Sequence, residues 1–303
     1  MAFRLKTSDY KTLESIAEYR IITTVQIAAL LGKNRQSIWR RLRELEKHEL
    51  LKVTQREFGR RRGRPEIVLS LSEHGVDVLK EKGVIGADVK YEAVIADKIH
   101  CRDHQLMLNW FRIHLNHVGK VLPMLKIRFL SYSSPFLPQN PAKYSIITDF
   151  APVEGSVDEV VWFTPDAVFS ITDTHRGITL LFFLEVDCGT ETIASPKRNG
   201  SDVRQKIVNY GAYFDSFRYK RYEELWDCKL EGFRLLFLTN TLGRLASLSK
   251  LVEQMSPSDF IWLTELDRVF HGGVSAEIWV RGGKMESSPE SIIDSLCCRA
   301  PLP

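Results

Sequence analysis

Apolar residues along the first 80 positions recur at helical spacing. Leu13, Ile16 and Ala17 share one face of a helix expected over residues 8–20, with Ser8 as its N-cap. Thr23 or Thr24 then caps a second helix, Val25 to Leu31, that stops at Gly32. Lys33-Asn34 makes a turn, and a third helix follows from Arg35 to about His48. Ile38, Leu42 and Leu45, spaced by four and three, line its core face, and Gln36, Ser37, Arg40, Arg41, Arg43 and Lys47 fill the other side. The chain then reads as a turn into a strand (Leu50-Leu51-Lys52-Val53), a basic tip at residues 56–65, and a return strand, Ile67 to Leu71. Ser72 caps one more helix, through Leu79.

Beyond Gly83 and Gly86 the pattern changes, and a domain boundary is expected near residues 85–95. A long helix is predicted from Ala96 to His117, then strands at 123–131, 159–171 and 179–187. A helix at 201–219, a strand at 233–239, a helix at 242–255 and a strand at 259–263 follow. Pro135, Pro138 and Pro141 mark residues 133–148 as a surface excursion. Phe233 to Leu238 is a continuous apolar run, as in strands buried on both faces. Ile278 to Val280 is read as an edge strand, and Glu286 to Pro303 as a helix with a loose tail.

Composition adds one strong asymmetry. The 303 residues carry a net charge of +4, but residues 1–83 hold 18 Lys and Arg against 11 Asp and Glu, a balance of +7. The remainder is net −3, so the first quarter of the chain is the expected nucleic-acid surface. No apolar run approaches the ~20 residues of a membrane helix. The N-terminal residues lack a signal-peptide core, and five cysteines without paired spacing suggest no disulfide framework. A reducing cytoplasm is the simplest setting.

Helix, helix, turn, helix and two strands with an arginine-rich tip form a pattern, "RRLRELEKHELLKV…RPEIVLSLSEHG", that resembles MarR-like and related winged-helix families. The resemblance implies double-stranded DNA as partner. Arg35, Gln36, Ser37, Arg40 and Arg41 would face the major groove, and Arg60, Arg61, Arg62 and Arg64 would reach phosphates or the minor groove. A homodimer reading paired half-sites fits such modules. His100 and His104, four apart, share a helix face with Cys101 adjacent, but no second cluster completes a zinc site, so helix packing is the preferred reading.

Two strands of the C-terminal part carry acids within apolar runs: Asp166 after Val160-Val161-Trp162-Phe163-Thr164-Pro165, and Glu185 and Asp187 after Leu180-Leu181-Phe182-Phe183-Leu184. Carboxylates in buried strands are costly unless paired. Three on adjacent strands repel one another unless a cation lies between them, and a divalent ion with oxygen ligands is the natural solution. Helix, three strands, helix, strand, with acids on the second and third strands, resembles the restriction-endonuclease-like fold and its PD…(D/E)xK signature. Pro165-Asp166 supplies the first part and Glu185-Val186-Asp187 the second, with Asp where Lys is expected; Lys206 on the next helix, or Lys197, is the substitute lysine. The resemblance implies Mg²⁺ or Mn²⁺ at Asp166, Glu185 and Asp187, with Lys206 as a fourth catalytic residue.

The whole pattern, with "TPDAVFSI", "FFLEVDCGTET" and a helix bearing Lys206 and Tyr210, resembles the replication-relaxation family of plasmid and mobile-element proteins. The expected architecture is therefore α/β: a winged helix-turn-helix over residues 1–85, then a restriction-endonuclease-like mixed sheet flanked by helices over 86–303. The resemblance implies a metal-dependent DNA nuclease or nickase targeted by its winged helix. A DNA-binding regulator or plasmid replication factor with a degenerate nuclease-like domain is the alternative, with replication or mobilisation proteins as partners. A dimeric transcription factor with a small-molecule sensor domain is a third.

Overall fold

The computed structural model describes residues 3–55, 67–96, 99, 101–139, 144–153, 159–194, 202–294, 296, 298, 300 and 301. The chain forms two compact units, one of residues 1–113, 133–137 and 301–303, the other of 114–132 and 138–300.

In the first unit α1 spans Thr7–Tyr19 and buries Leu13, Ile16 and Ala17. Its N-cap is Lys6 rather than Ser8, because the Asp9 carboxylate accepts from the Lys6 backbone N–H at 2.6 Å and closes the first turn earlier. A two-residue strand, β1 (Ile22–Thr23), leads into α2 (Thr24–Leu31). Thr23 Oγ1 accepts from Gln26 N–H while Gln26 Oε1 accepts from Thr23 N–H, a reciprocal cap. Gly32, at φ +61°, ends the helix in the left-handed conformation. Helix α3 (Arg35–Lys47) buries Ile38, Leu42 and Leu45, as the spacing predicts. Strands β2 (Leu51–Gln55) and β3 (Ile67–Leu71) pair antiparallel, with Val53 opposite Leu69, and β1 adds on the far side of β3. Ser72 caps α4 (Glu73–Glu81) through Gly75 N–H. Residues 56–66, with Arg60, Arg61, Arg62 and Arg64, lie outside the described residues, as do Lys197 and His100.

After the short α5 (Tyr91–Val94), the long helix α6 covers Arg102–Val121, starting later than the sequence suggests. Its first half belongs to the first unit through two buried amides. Gln26 donates to Leu106 O at 2.8 Å, and Asn109 donates to Ile21 O at 2.5 Å.

The second unit is built on a mixed sheet whose described strands run in the order β11-β10-β9-β8-β7-β4. Here β4 is Leu125–Ser131, β7 Ala167–Asp173, β8 Ile178–Asp187, β9 Phe233–Thr239, β10 Ile261–Glu265 and β11 Val280–Arg281. Strands β4, β7 and β8 form an antiparallel meander; β9 is parallel to β8, and β10 to β9. The β8–β9 crossover contains α7 (Val203–Asp215), a 3-10 turn (Arg218–Lys220) and α8 (Arg221–Trp226); α9 (Leu242–Glu253) connects β9 to β10. Helix α10 (Leu266–Gly272) follows β10 and is not signalled by the sequence reading.

Each sheet face has its own aromatic layer. On one, Phe129, Phe169 and Phe182 lie in register across β4, β7 and β8, and Arg234 extends the row to stand 4.3 Å over Trp262. On the other, Phe183 and Phe233 pack against Tyr210 and Tyr213 of α7.

Two expectations change. The single strand predicted at 159–171 is broken: β6 (Val160–Phe163) leaves the main sheet and pairs with β5 (Asp149–Pro152) in a separate hairpin. Pro165 has no N–H for a ladder, so a continuous strand cannot pass through it. No helix forms among the described residues of 286–303; Pro289 lies in that stretch, and Glu290 instead bridges to Trp279.

Gly75 tests the packing of α4. A Cβ there would stand 2.2 Å from Leu50 O, a backbone atom that cannot swing away, whereas one at Gly211 in α7 meets nothing within 4 Å. Gly75→Ala should lower unfolding free energy by about 1–3 kcal/mol, and Gly211→Ala should raise it by roughly 0.5–1 kcal/mol. Urea denaturation of both variants measures the contrast; equal midpoints would contradict this packing.

Candidate functional site

Strand pairing brings two of the acids together. Ala167 lies opposite Leu184, so Asp166, one residue before β7, falls beside Glu185 near the end of β8. Asp166 Oδ2 accepts from the Val186 backbone N–H at 2.8 Å, which fixes the carboxylate across the strand pair. Glu185 shares the face of β8 with Phe183 and looks toward α7. It is only 5% exposed. Lys206 and Tyr210, four apart on one face of α7, both reach it: the ammonium donates to Oε2 at 3.0 Å and the phenol to Oε1 at 2.6 Å. Lys206 also pairs with Glu191 at 3.2 Å. The lysine sought on the helix is thus brought to the acid on the strand.

Burial dominates the electrostatics. It raises the Glu185 carboxyl; the Lys206 charge and the Tyr210 hydrogen bond pull it back and the Asp166 charge raises it again, leaving it at about 7. Burial alone would lower Lys206, but the charges of Glu185 and Glu191 prevail and hold its ammonium above its ordinary range. Tyr210 is raised by burial and then by Glu185.

Asp187, on the same face two residues on, is turned to another partner. Arg244, from the first turn of α9, donates Nε to Asp187 Oδ2 at 2.8 Å, and Gly189 N–H donates to Oδ1 at 2.6 Å. Arg244 also donates to Glu191 O at 2.7 Å, tying the segment after β8 to α9. Asp187, expected beside a cation shared with the other two carboxylates, is paired here with an arginine. Among the described residues no group of three or more His, Cys, Asp or Glu side chains is arranged to hold a metal ion. The sequence reading missed Arg244, which lies 57 residues from its partner. Tyr210 was legible through its spacing from Lys206.

In the first unit, Arg35, Gln36, Ser37 and Arg40 are exposed on α3. The Asn34 side chain accepts from Gln36 N–H at 2.8 Å and so caps the helix at this end. Arg41 departs from the expectation. It pairs with Asp9, which is 1% exposed, through Nε at 2.7 Å, and its guanidinium stands 5.0 Å over Phe3. Burial raises Asp9, but the hydrogen bonds from Arg41 and the Lys6 N–H outweigh it and hold the carboxyl low. Arg41 thus clamps α3 to α1. A cavity of about 850 Å³ in this unit, bordered by residues such as Tyr10, Lys11, His48, His74 and Lys82, includes none of the predicted site residues.

The state of Glu185 predicts a pH dependence. Its carboxyl titrates at about 7 in the folded chain against an ordinary value of 4.5. The unfolded chain therefore ionises first, and the stability this group contributes is present below pH 4.5 and lost as pH rises through 7. Relative to Glu185→Gln, the wild-type chain should lose on the order of 2–3 kcal/mol between these limits. Denaturation at a series of pH values reads this directly, and parallel profiles for the two proteins would refute it.

Comparisons with known proteins add the following. No curated protein matches the chain. Among solved structures, the zinc-responsive MarR family member ZitR of Lactococcus lactis is 23% identical, covering 28% of this chain and 55% of ZitR, at a TM-score of 0.24. A mutant of ZitR is 26% identical over 27% of this chain and 53% of its own, also at 0.24. The chain thus spans about half the length of these proteins, and the likeness is too slight to define the fold. No helix among the described residues is long and apolar enough to cross a membrane. The replication-relaxation family matches residues 13–227, a stretch that holds α3, Asp166, Glu185, Asp187, Lys206 and Tyr210, and the chain belongs to that family.

Proposed function

We propose that the protein binds double-stranded DNA through a winged helix-turn-helix in its first unit and cleaves or nicks DNA with a metal-dependent site in its second. The observation that carries the reading is the convergence of Asp166, Glu185 and Lys206, with the ammonium 3.0 Å from the buried carboxylate. Support also comes from the order of the main-sheet strands and their helices, α6, β4, β7, β8, α7, α8, β9, once the β5–β6 hairpin between β4 and β7 is set aside; acids stand at adjoining ends of β7 and β8, as in the nuclease resemblance. Family membership points to DNA transactions of mobile elements.

The residues fit a divalent cation in kind. Asp166 and Glu185 offer oxygen donors only, as Mg²⁺ and Mn²⁺ prefer, and Glu185 already holds one positive charge, the Lys206 ammonium, against Oε2. Bound by these two carboxylates, Mg²⁺ or Mn²⁺ would polarise the scissile phosphate and acidify a water. Lys206 would offset negative charge developing on the phosphate. Tyr210 fixes the orientation of Glu185 from beneath, and Val186 N–H does the same for Asp166. Asp187 stays with Arg244, which holds the end of β8 to the start of α9.

Asp187 favours a second reading. A carboxylate stands where the motif has its lysine, and it is locked by an arginine. This suits a DNA-binding regulator or replication factor whose nuclease-like domain no longer cleaves.

Supercoiled and linear DNA incubated with Mg²⁺ or Mn²⁺ separates the two. Wild-type nicking that is lost in Glu185→Ala and Asp166→Ala supports the enzyme; intact DNA with retained binding supports the regulator. Under either reading Arg40→Ala should weaken duplex binding by roughly five- to a hundredfold. Anisotropy with labelled duplex at fixed salt measures it, and unchanged affinity would remove α3 from the interface.

A further inference from the structure

The hairpin that displaces the predicted long strand carries an arrangement the cleavage reading does not use. Its two-residue period divides it into two faces. Asp149 and Phe163, directly opposite one another, face inward. Phe163 packs edge-on against Tyr210 at 4.8 Å and Tyr213 at 5.3 Å. Asp149 is 2% exposed and is held by Arg221 and by the Tyr222 hydroxyl at 2.9 Å. Phe150 and Trp162, also directly opposite, face outward.

On that outer face three rings and a guanidinium form a row. Tyr144 stacks on Trp162 at 5.4 Å and 23°, Trp162 meets Phe150 at 4.9 Å, and Arg218 stands 4.1 Å over Phe150. Trp162 is 53% exposed and Tyr144 52%. Aromatic rings of this size normally bury their faces, so a wet, ordered stack has a cost that a ligand would remove. The flanking cation is Arg218, exposed on the turn before α8. Trp162 precedes Asp166 by four residues, and the inner face of the hairpin rests on Tyr210, the residue that donates to Glu185.

Exposed aromatic faces ending in an arginine match unpaired nucleotides, whose bases stack on the rings while the guanidinium takes a phosphate. A duplex does not fit, because its base faces are already stacked and only its edges and backbone are presented. We infer that the outer face of the β5–β6 hairpin is a stacking platform for single-stranded DNA, on the segment of chain that leads into Asp166. The inference rests on the cleavage reading for the fate of the strand, but not for its binding.

Binding without metal therefore tests it separately from nicking. Full-length protein is titrated at fixed salt into labelled oligodeoxythymidine, into an abasic oligomer of the same length and charge, and into duplex. Trp162→Ala should bind oligodeoxythymidine about tenfold more weakly or worse, leave duplex affinity unchanged, and match the weak binding of wild type to the abasic oligomer. Trp162→Phe should recover most of the loss. Equal wild-type affinity for thymidine and abasic strands would overturn the platform, as would unchanged affinity in a folded Trp162→Ala. If that variant does not fold by circular dichroism, the abasic comparison on wild type decides alone. Strand binding without any cleavage would sink the nuclease reading and leave the platform; cleavage without base-dependent binding would do the reverse.

Discussion

The second unit is organised around one expensive object, a carboxylate at the buried end of a strand. A charge taken out of water destabilises the fold by several kcal/mol unless partners surround it. Glu185 obtains both partners from a single helix face, Lys206 and Tyr210, one turn apart. This fixes the rotation of α7 about its axis. The next residue on that face, Tyr213, is then directed into the aromatic layer with Phe183 and Phe233. The same tyrosines receive Phe163 from the hairpin. Strand, helix and hairpin are thus positioned in sequence by the satisfaction of one acid.

A second polar knot closes the far side of this layer. Asp149, Arg221 and Tyr222 satisfy one another within the aromatic layer, with Arg221 also donating to Ile146 O at 2.8 Å. Burial raises the Asp149 carboxyl, and the Arg221 hydrogen bond and charge oppose it. The two knots are of the same kind: a buried acid, a cation lying at the rim and a tyrosine in the interior. One acid adjoins Asp166, and the other belongs to the hairpin itself.

Much of this was legible in the sequence, and the failures have physical causes. Helical spacing located α2, α3 and the core residues Ile38, Leu42 and Leu45, because an amphipathic period is a local property. The acids on β7 and β8 announced themselves because apolar runs seldom tolerate charge. Lys206 came from the nuclease resemblance, and its four-residue spacing put Tyr210 on the same helix face. Arg244 and the destiny of Asp187 were hidden, since that ion pair depends on how α9 follows β9, a long-range fact no local pattern encodes. The Arg41–Asp9 pair was hidden for a related reason: a charged residue flanking a core face looks solvent-bound until its partner, 32 positions away, is brought beside it. The broken strand was readable in principle, because Pro165 interrupts the run in plain view.

The sheet ends at β11, only two residues long and antiparallel to β10. Gly282 and Gly283, at φ +58° and +76°, then turn the backbone out of extended conformation at once. A border this short offers too few free N–H and C=O groups to template another strand, and Arg281 adds a charge to it. This border of the sheet is therefore a poor template for edge-to-edge self-association, whereas the opposite border, β4, is seven residues long. Two copies of this chain that came to share a sheet would join through β4 rather than β11.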